Sequence, residues 1–138
     1  MDEAKTTLVQ RWLIKASHDL ASARKLAADT DVYLDTAVYF CQQSAEKTIK
    51  AFLVFHDQRF EKIHDIRKLI QQAAPLEKKI SVWTEKIAFL TSYVSVFRYP
   101  FEEEEPSEPS REEFEHAFEA AQQFYLFMLS LLPKEVQP

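Results

Sequence analysis

Three groups of residues in this chain have the types and spacing for phosphate or proton chemistry. The first is Arg59-Phe60-Glu61-Lys62-Ile63-His64. A guanidinium stabilises the charge of a pentacovalent phosphate, and an imidazole, with an ordinary pKa of about 6.5, moves the proton of an attacking hydroxyl. The second is Arg98-Tyr99-Pro100. A guanidinium beside a phenol suits a nucleotide, through bidentate phosphate contact and stacking on the base. The same tripeptide also reads as a plain helix terminator, with a cation at the negative end of the dipole and a proline that stops the turn. The third group is Lys47 and Lys50 on the polar side of a long helix. These are solvated lysines unless they share a cleft with Arg98, which alone would make them phosphate ligands.

Composition narrows what such a site can be. The chain of 138 residues contains no glycine. Gly-rich phosphate cradles are therefore excluded, because their backbone positions admit only Gly, and tight hairpins are disfavoured. A bound phosphate has to be held by side chains or helix N-termini. Cys41 is the only cysteine and falls on an apolar stripe, which rules out an internal disulfide and makes it a small buried hydrophobe. His18, His56, His64 and His116 are scattered, with no metal-binding pair among them, so no metal and no cofactor is expected. The net charge of −5 argues against a general nucleic-acid coat. Much of that excess comes from Glu102-Glu103-Glu104-Glu105 and Glu108, which leaves room for a local cationic pocket elsewhere. Nothing reads as a membrane span or a signal peptide, so a cytoplasmic location is expected.

The elements that position these residues are all helical. A first helix over residues 6–28 buries Val9, Trp12, Leu13, Ala16, Leu20, Ala23 and Ala27, with Asp19 at the flank as partner for a neighbouring helix's cation. Asp29-Thr30-Asp31 breaks it and offers capping groups to a second helix over residues 32–55. On that helix Leu34, Val38, Cys41, Ala45, Thr48, Ile49 and Phe52 share one stripe, while Gln43, Glu46, Lys47 and Lys50 gather opposite, as on a solvated side. Asp65 caps a short third helix that ends at Pro75. A fourth, from Leu76, buries Ile80, Trp83, Ile87, Leu90, Thr91 and Val94, with Phe97 extending its stripe, and stops at Pro100. Residues 101–110, acidic and Pro-rich, read as a mobile loop. Ser110 and Glu113 have capping-box spacing at the start of the last helix. Phe124 and Phe127 fall off its inward stripe, so surplus apolar surface points to a homodimer. The expected fold is an all-α antiparallel up-and-down bundle of four long helices plus one short one, in a single domain over residues 1–138.

Gln42-Gln43-Ser44-Ala45-Glu46-Lys47-x-x-Lys50 resembles the QQxxEKxxK signature of HEPN domains. Asp19-Leu20, His64-Asp65-Ile66 and Arg98-Tyr99-Pro100 fit the same pattern in the same order. The resemblance implies a nucleotide-binding or interaction module, with Lys47, Lys50, His64, Asp65, Arg98 and Tyr99 as ligand residues. It also implies a small nucleotidyltransferase as partner, sometimes in a toxin–antitoxin pair. A rival implication is a metal-independent ribonuclease that uses Arg59 and His64 on an RNA ligand. Against the rival, Phe60 follows Arg59 where those enzymes typically carry a small polar residue, and the motif lies earlier in the chain. A ligand-free dimeric interaction module is the remaining alternative. The family commonly carries a Gly where the second helix ends; its lack here implies a looser turn, with Asp57 in the left-handed conformation.

Overall fold

The computed structural model describes residues 2–100 and 107–138, and among these it contains helices and no strand. Helix α1, Glu3–Ala28, is capped by Asp2, whose carboxylate accepts from Ala4 N at 2.9 Å. Val9, Leu13, Ala16, Leu20, Ala23 and Ala27 form its buried edge. Three of these six are alanines, which lets α1 lie close along α2, Leu34–Phe55. Trp12 sits at the margin of this edge and is only partly buried. The cap expected from the Asp29-Thr30-Asp31 segment does not form. The N-cap of α2 is Tyr33, without a side-chain bond.

Helix α2 is the axis of the molecule, with neighbours in α1, in α3 (Ile66–Ala73), in residues 88–94 and in α5 (Arg111–Ser130). Packing on most sides narrows the solvated face that its polar residues led one to expect to Gln43 and Lys47, which stay half-buried. Gln42, Ser44, Glu46, Thr48 and Lys50 are buried along with the apolar stripe.

The exit from α2 is tight. Gln58 N donates to Leu53 O at 2.9 Å and Asp57 N to Val54 O at 3.0 Å, the paired bonds of a Schellman turn. Asp57 fills the position normally taken by Gly, with φ of 58°. Asp57 is left-handed as the sequence implies, but the turn is not the looser one expected, because both bonds of the motif form. Its carboxylate also meets Lys5 Nζ at 3.0 Å. Asp57→Ala is therefore expected to be less stable than Asp57→Gly by about 1–2 kcal/mol, the cost of a Cβ in this conformation. Both variants lose the Lys5 contact, so their difference in urea denaturation isolates the backbone term. Equal stability would mean that the turn relaxes out of the left-handed region.

Asp65 caps α3 as expected, accepting from Lys68 N at 3.2 Å. The fourth helical segment is not one α-helix. It runs as a 3-10 turn at Lys78–Trp83, a single α turn α4 at Thr84–Ile87, and a second 3-10 stretch at Ala88–Val94. The hydroxyls of this segment follow the same three-residue step. Ser81, Thr84 and Ser92 bond back to the carbonyls of Lys78, Ser81 and Phe89, each three residues earlier. Such bonds compete with the α ladder. The helical path stops before Phe97, whose φ of 70° turns the chain before Arg98, yet its ring still packs against the core, stacked on Tyr93 with centroids 6.1 Å apart.

Helix α5 opens with the full capping box between Ser110 and Glu113. Phe124 is completely buried and, with Phe127, packs under Trp83, the ring centroids 5.6 and 5.3 Å away. The supposed apolar surplus is thus covered within one chain by the fourth segment, which removes the reason it gave for dimerisation. Of the expected acidic loop, residues 101–106 lie outside the described residues. Among the described residues no helix is long and apolar enough to cross a membrane.

Candidate functional site

Tyr39, Gln43, Glu46, Lys47 and Lys50 recur at three- and four-residue intervals, so α2 sets them in one row. Around this row the other elements deliver Asp19 from α1, His64 from the loop after α2, and Arg98 from the end of the fourth segment.

Glu46 is the centre of the row. Its carboxylate, almost wholly buried, receives Lys50 Nζ on Oε2 at 3.0 Å and His64 Nδ1 on Oε1 at 2.7 Å. Gln42 Nε2 donates to the same Oε1 at 3.2 Å and to the His64 carbonyl at 3.1 Å, which ties the loop to the helix. Gln43 in turn donates to Gln42 Oε1 at 2.7 Å. Lys50 lies beneath Phe60 and Trp12, with its ammonium 5.4 and 5.9 Å from their ring centroids. It is therefore a buried partner of Glu46, not a solvated lysine.

Lys47 points toward α1, where Asp19 Oδ2 holds its ammonium at 2.6 Å; Gln43 Oε1 is 3.5 Å away. Asp19 is the helix-to-helix partner that its flanking position implied. Burial pushes the Asp19 carboxyl above its usual range, while the Lys47 hydrogen bond and charge pull the other way. Burial also pushes the Cys41 thiol up, to about 12, which makes it inert.

Arg98 is exposed, and its guanidinium lies 3.8 Å over the ring centroid of Tyr39. Along the axis, Tyr39 is about 12 Å from Lys47. The structure thus joins Lys50, Glu46 and His64 in one cluster, with Lys47 and Asp19 beside it. Arg98 stands at the other end of the same row. Tyr99 is exposed next to Arg98. Asp65 is engaged in capping α3 and lines a separate depression with Arg67, Glu85, Phe89 and Thr91. Arg59 stays exposed in the loop, where its carbonyl accepts from the Gln72 side chain. Among the described residues no group of His, Cys, Asp or Glu is arranged to hold a metal ion.

The family model for the HEPN domain matches residues 9–131. The chain belongs to the HEPN domain family. The matched span includes the whole row on α2, Asp19, His64 and Arg98. Neither the curated proteins nor the solved structures compared with this HEPN domain gave a match. Sequence reading placed most of the row but missed Tyr39 as the seat of Arg98. Spacing alone places Tyr39 on the row, four residues before Gln43 and eight before Lys47, but says nothing of Arg98 reaching it.

Proposed function

We propose that this HEPN domain is a nucleotide-binding and interaction module, with its ligand site on the row that runs from Arg98 and Tyr39 to Lys47. The observation that carries the reading is the guanidinium held 3.8 Å over Tyr39, at the end of a helix face that also bears Gln43 and Lys47. An Arg stacked on a ring loses less side-chain freedom when its N–H groups engage a phosphate. Tyr99, exposed beside it, offers a flat face to a base. In this reading Lys47 supplies the second cation and His64 borders the surface, while Asp65 stays with the cap of α3. Lys50 acts through Glu46 rather than on the ligand. The same module would work as a homodimer in the cytoplasm and partner a small nucleotidyltransferase, as one half of a toxin–antitoxin pair.

Arg98→Ala is expected to weaken nucleotide binding by about 1.5–3 kcal/mol, the range for a hydrogen bond to a charged group. Folding stability should change far less, since Arg98 is exposed. Calorimetric titration of both proteins with ATP, GTP and their monophosphates decides it. Equal affinities, or no binding by the wild type, would leave Arg98-Tyr99-Pro100 as a helix terminator.

The ribonuclease reading keeps one observation in its favour. His64 Nδ1 is fixed on a buried carboxylate while the side chain is 56% exposed, so the ring is oriented with Nε2 left for proton transfer. RNA cleavage by wild type that is lost in His64→Ala and Arg59→Ala would establish it.

A further inference from the structure

The outer face of α1 carries a second concave surface, independent of Arg98. Leu8, Arg11, Trp12 and Lys15 line it from α1, and Lys47 reaches it from α2. The four α1 residues follow the spacing of one helix face. The floor is apolar, made by exposed Leu8 and the accessible part of the Trp12 indole. Trp12 is fixed in place from behind, with Phe60 edge-on at 5.9 Å and the Lys50 ammonium 5.9 Å from its ring. At the rim stand three cations. Lys47 is committed to Asp19, but among the described residues neither Arg11 nor Lys15 has an ion-pair partner. In a chain of net charge −5 such a cluster does not follow from general basicity.

We propose that this notch is a binding site for a nucleoside phosphate, with the base on the Trp12 indole and the phosphate on Arg11 and Lys15. The two halves of the surface select the ligand together. An apolar floor gives nothing to inorganic phosphate, and a cationic rim gives a neutral ring only a weak cation–π contact, about 0.5–1 kcal/mol at an exposed site. A rigid indole beside a guanidinium and an ammonium matches a flat base joined to an anion. The proposal rests on the nucleotide-binding reading for the class of ligand only; its base and phosphate residues are on another helix, and the two surfaces share only Lys47, which is committed to Asp19.

Trp12 is its own reporter. The chain has two tryptophans, and in Trp83→Phe the emission comes from Trp12 alone. Titration with AMP is expected to quench that emission to saturation. Adenosine should bind about tenfold more weakly or worse, and inorganic phosphate should leave the emission unchanged. The Arg11→Ala/Lys15→Ala pair should weaken AMP at least about tenfold, while Arg98→Ala leaves the quench as it is. Because Trp83 packs against α5, Trp12→Phe in the otherwise native chain is the second arm, and there the AMP-dependent change should disappear. No saturable quench, or a quench that survives loss of Arg11 and Lys15, overturns the proposal. Equal quenching by adenosine also overturns it, by making the notch an apolar docking face. AMP binding that depends on Arg98 but not on Arg11 and Lys15 would remove the notch and keep the earlier reading. The opposite dependence would do the reverse.

Discussion

Glu46→Ala is expected to destabilise the domain by about 3–5 kcal/mol, the usual consequence of removing one partner of a buried ion pair. The side chains of Lys50 and Glu46 are 7% and 6% exposed, and each ammonium or carboxylate oxygen that they bring inside has to be answered there. Without Glu46 the Lys50 ammonium is left under Phe60 and Trp12, where an aromatic face attracts a cation but does not replace a carboxylate. Gln42 and His64 lose their shared acceptor at the same time, which loosens the loop that ends at Asp65. Replacing both charges by Met should behave differently. Such swaps at buried pairs are often neutral or stabilising by about 1–4 kcal/mol, because no desolvated charge remains. Urea denaturation of the three proteins separates the cases. A loss below about 1 kcal/mol in Glu46→Ala, the scale of an exposed pair, would mean that Lys50 reaches water in solution and the cluster is a surface feature.

This cluster also shows where sequence reading stopped. The apolar stripes of α1 and α2, the caps at Asp65 and Ser110, and the left-handed Asp57 follow from local rules, and the structure has them. Periodicity, however, assigns a polar arc to solvent unless something covers it. Nothing within residues 42–50 says that the loop carrying Phe60 and His64 will fold over that arc. The information is distributed between a Glu, a Lys, a Gln and residues well downstream, and only their meeting makes burial tolerable. The fourth segment failed for a different reason. Its apolar residues recur at helical spacing and mark Ile80, Ile87 and Leu90 correctly, but the chain runs mostly in three-residue steps, so Trp83, Thr91 and Val94 are only partly buried and Tyr93 is buried in addition. The site divides along the same line. Asp19 was legible as an interhelical partner, whereas the seat of Arg98 on Tyr39 depends on the turn at Phe97, which no spacing rule announces.

Phe124→Ala carries the other large effect, a loss of about 3–5 kcal/mol for a buried aromatic truncated to a methyl. Phe124 has no exposed surface, and its ring lies 5.6 Å from that of Trp83, on the segment that closes over α5. Truncation opens a cavity between two elements joined in sequence only through residues 95–110. Trp83 has little means of collapsing into the gap, because Phe127 holds its ring at 5.3 Å. Leu126, on the same helix and 53% exposed, is the internal control, and Leu126→Ala should change stability by no more than about 0.5 kcal/mol. Measured at two protein concentrations about a hundredfold apart, the pair also tests the alternative origin of the apolar excess on α5. If Phe124 packs inside one chain, its cost is the same at both concentrations. A cost that appears only where subunits associate would place Phe124 at an interface between copies and return the homodimer to α5.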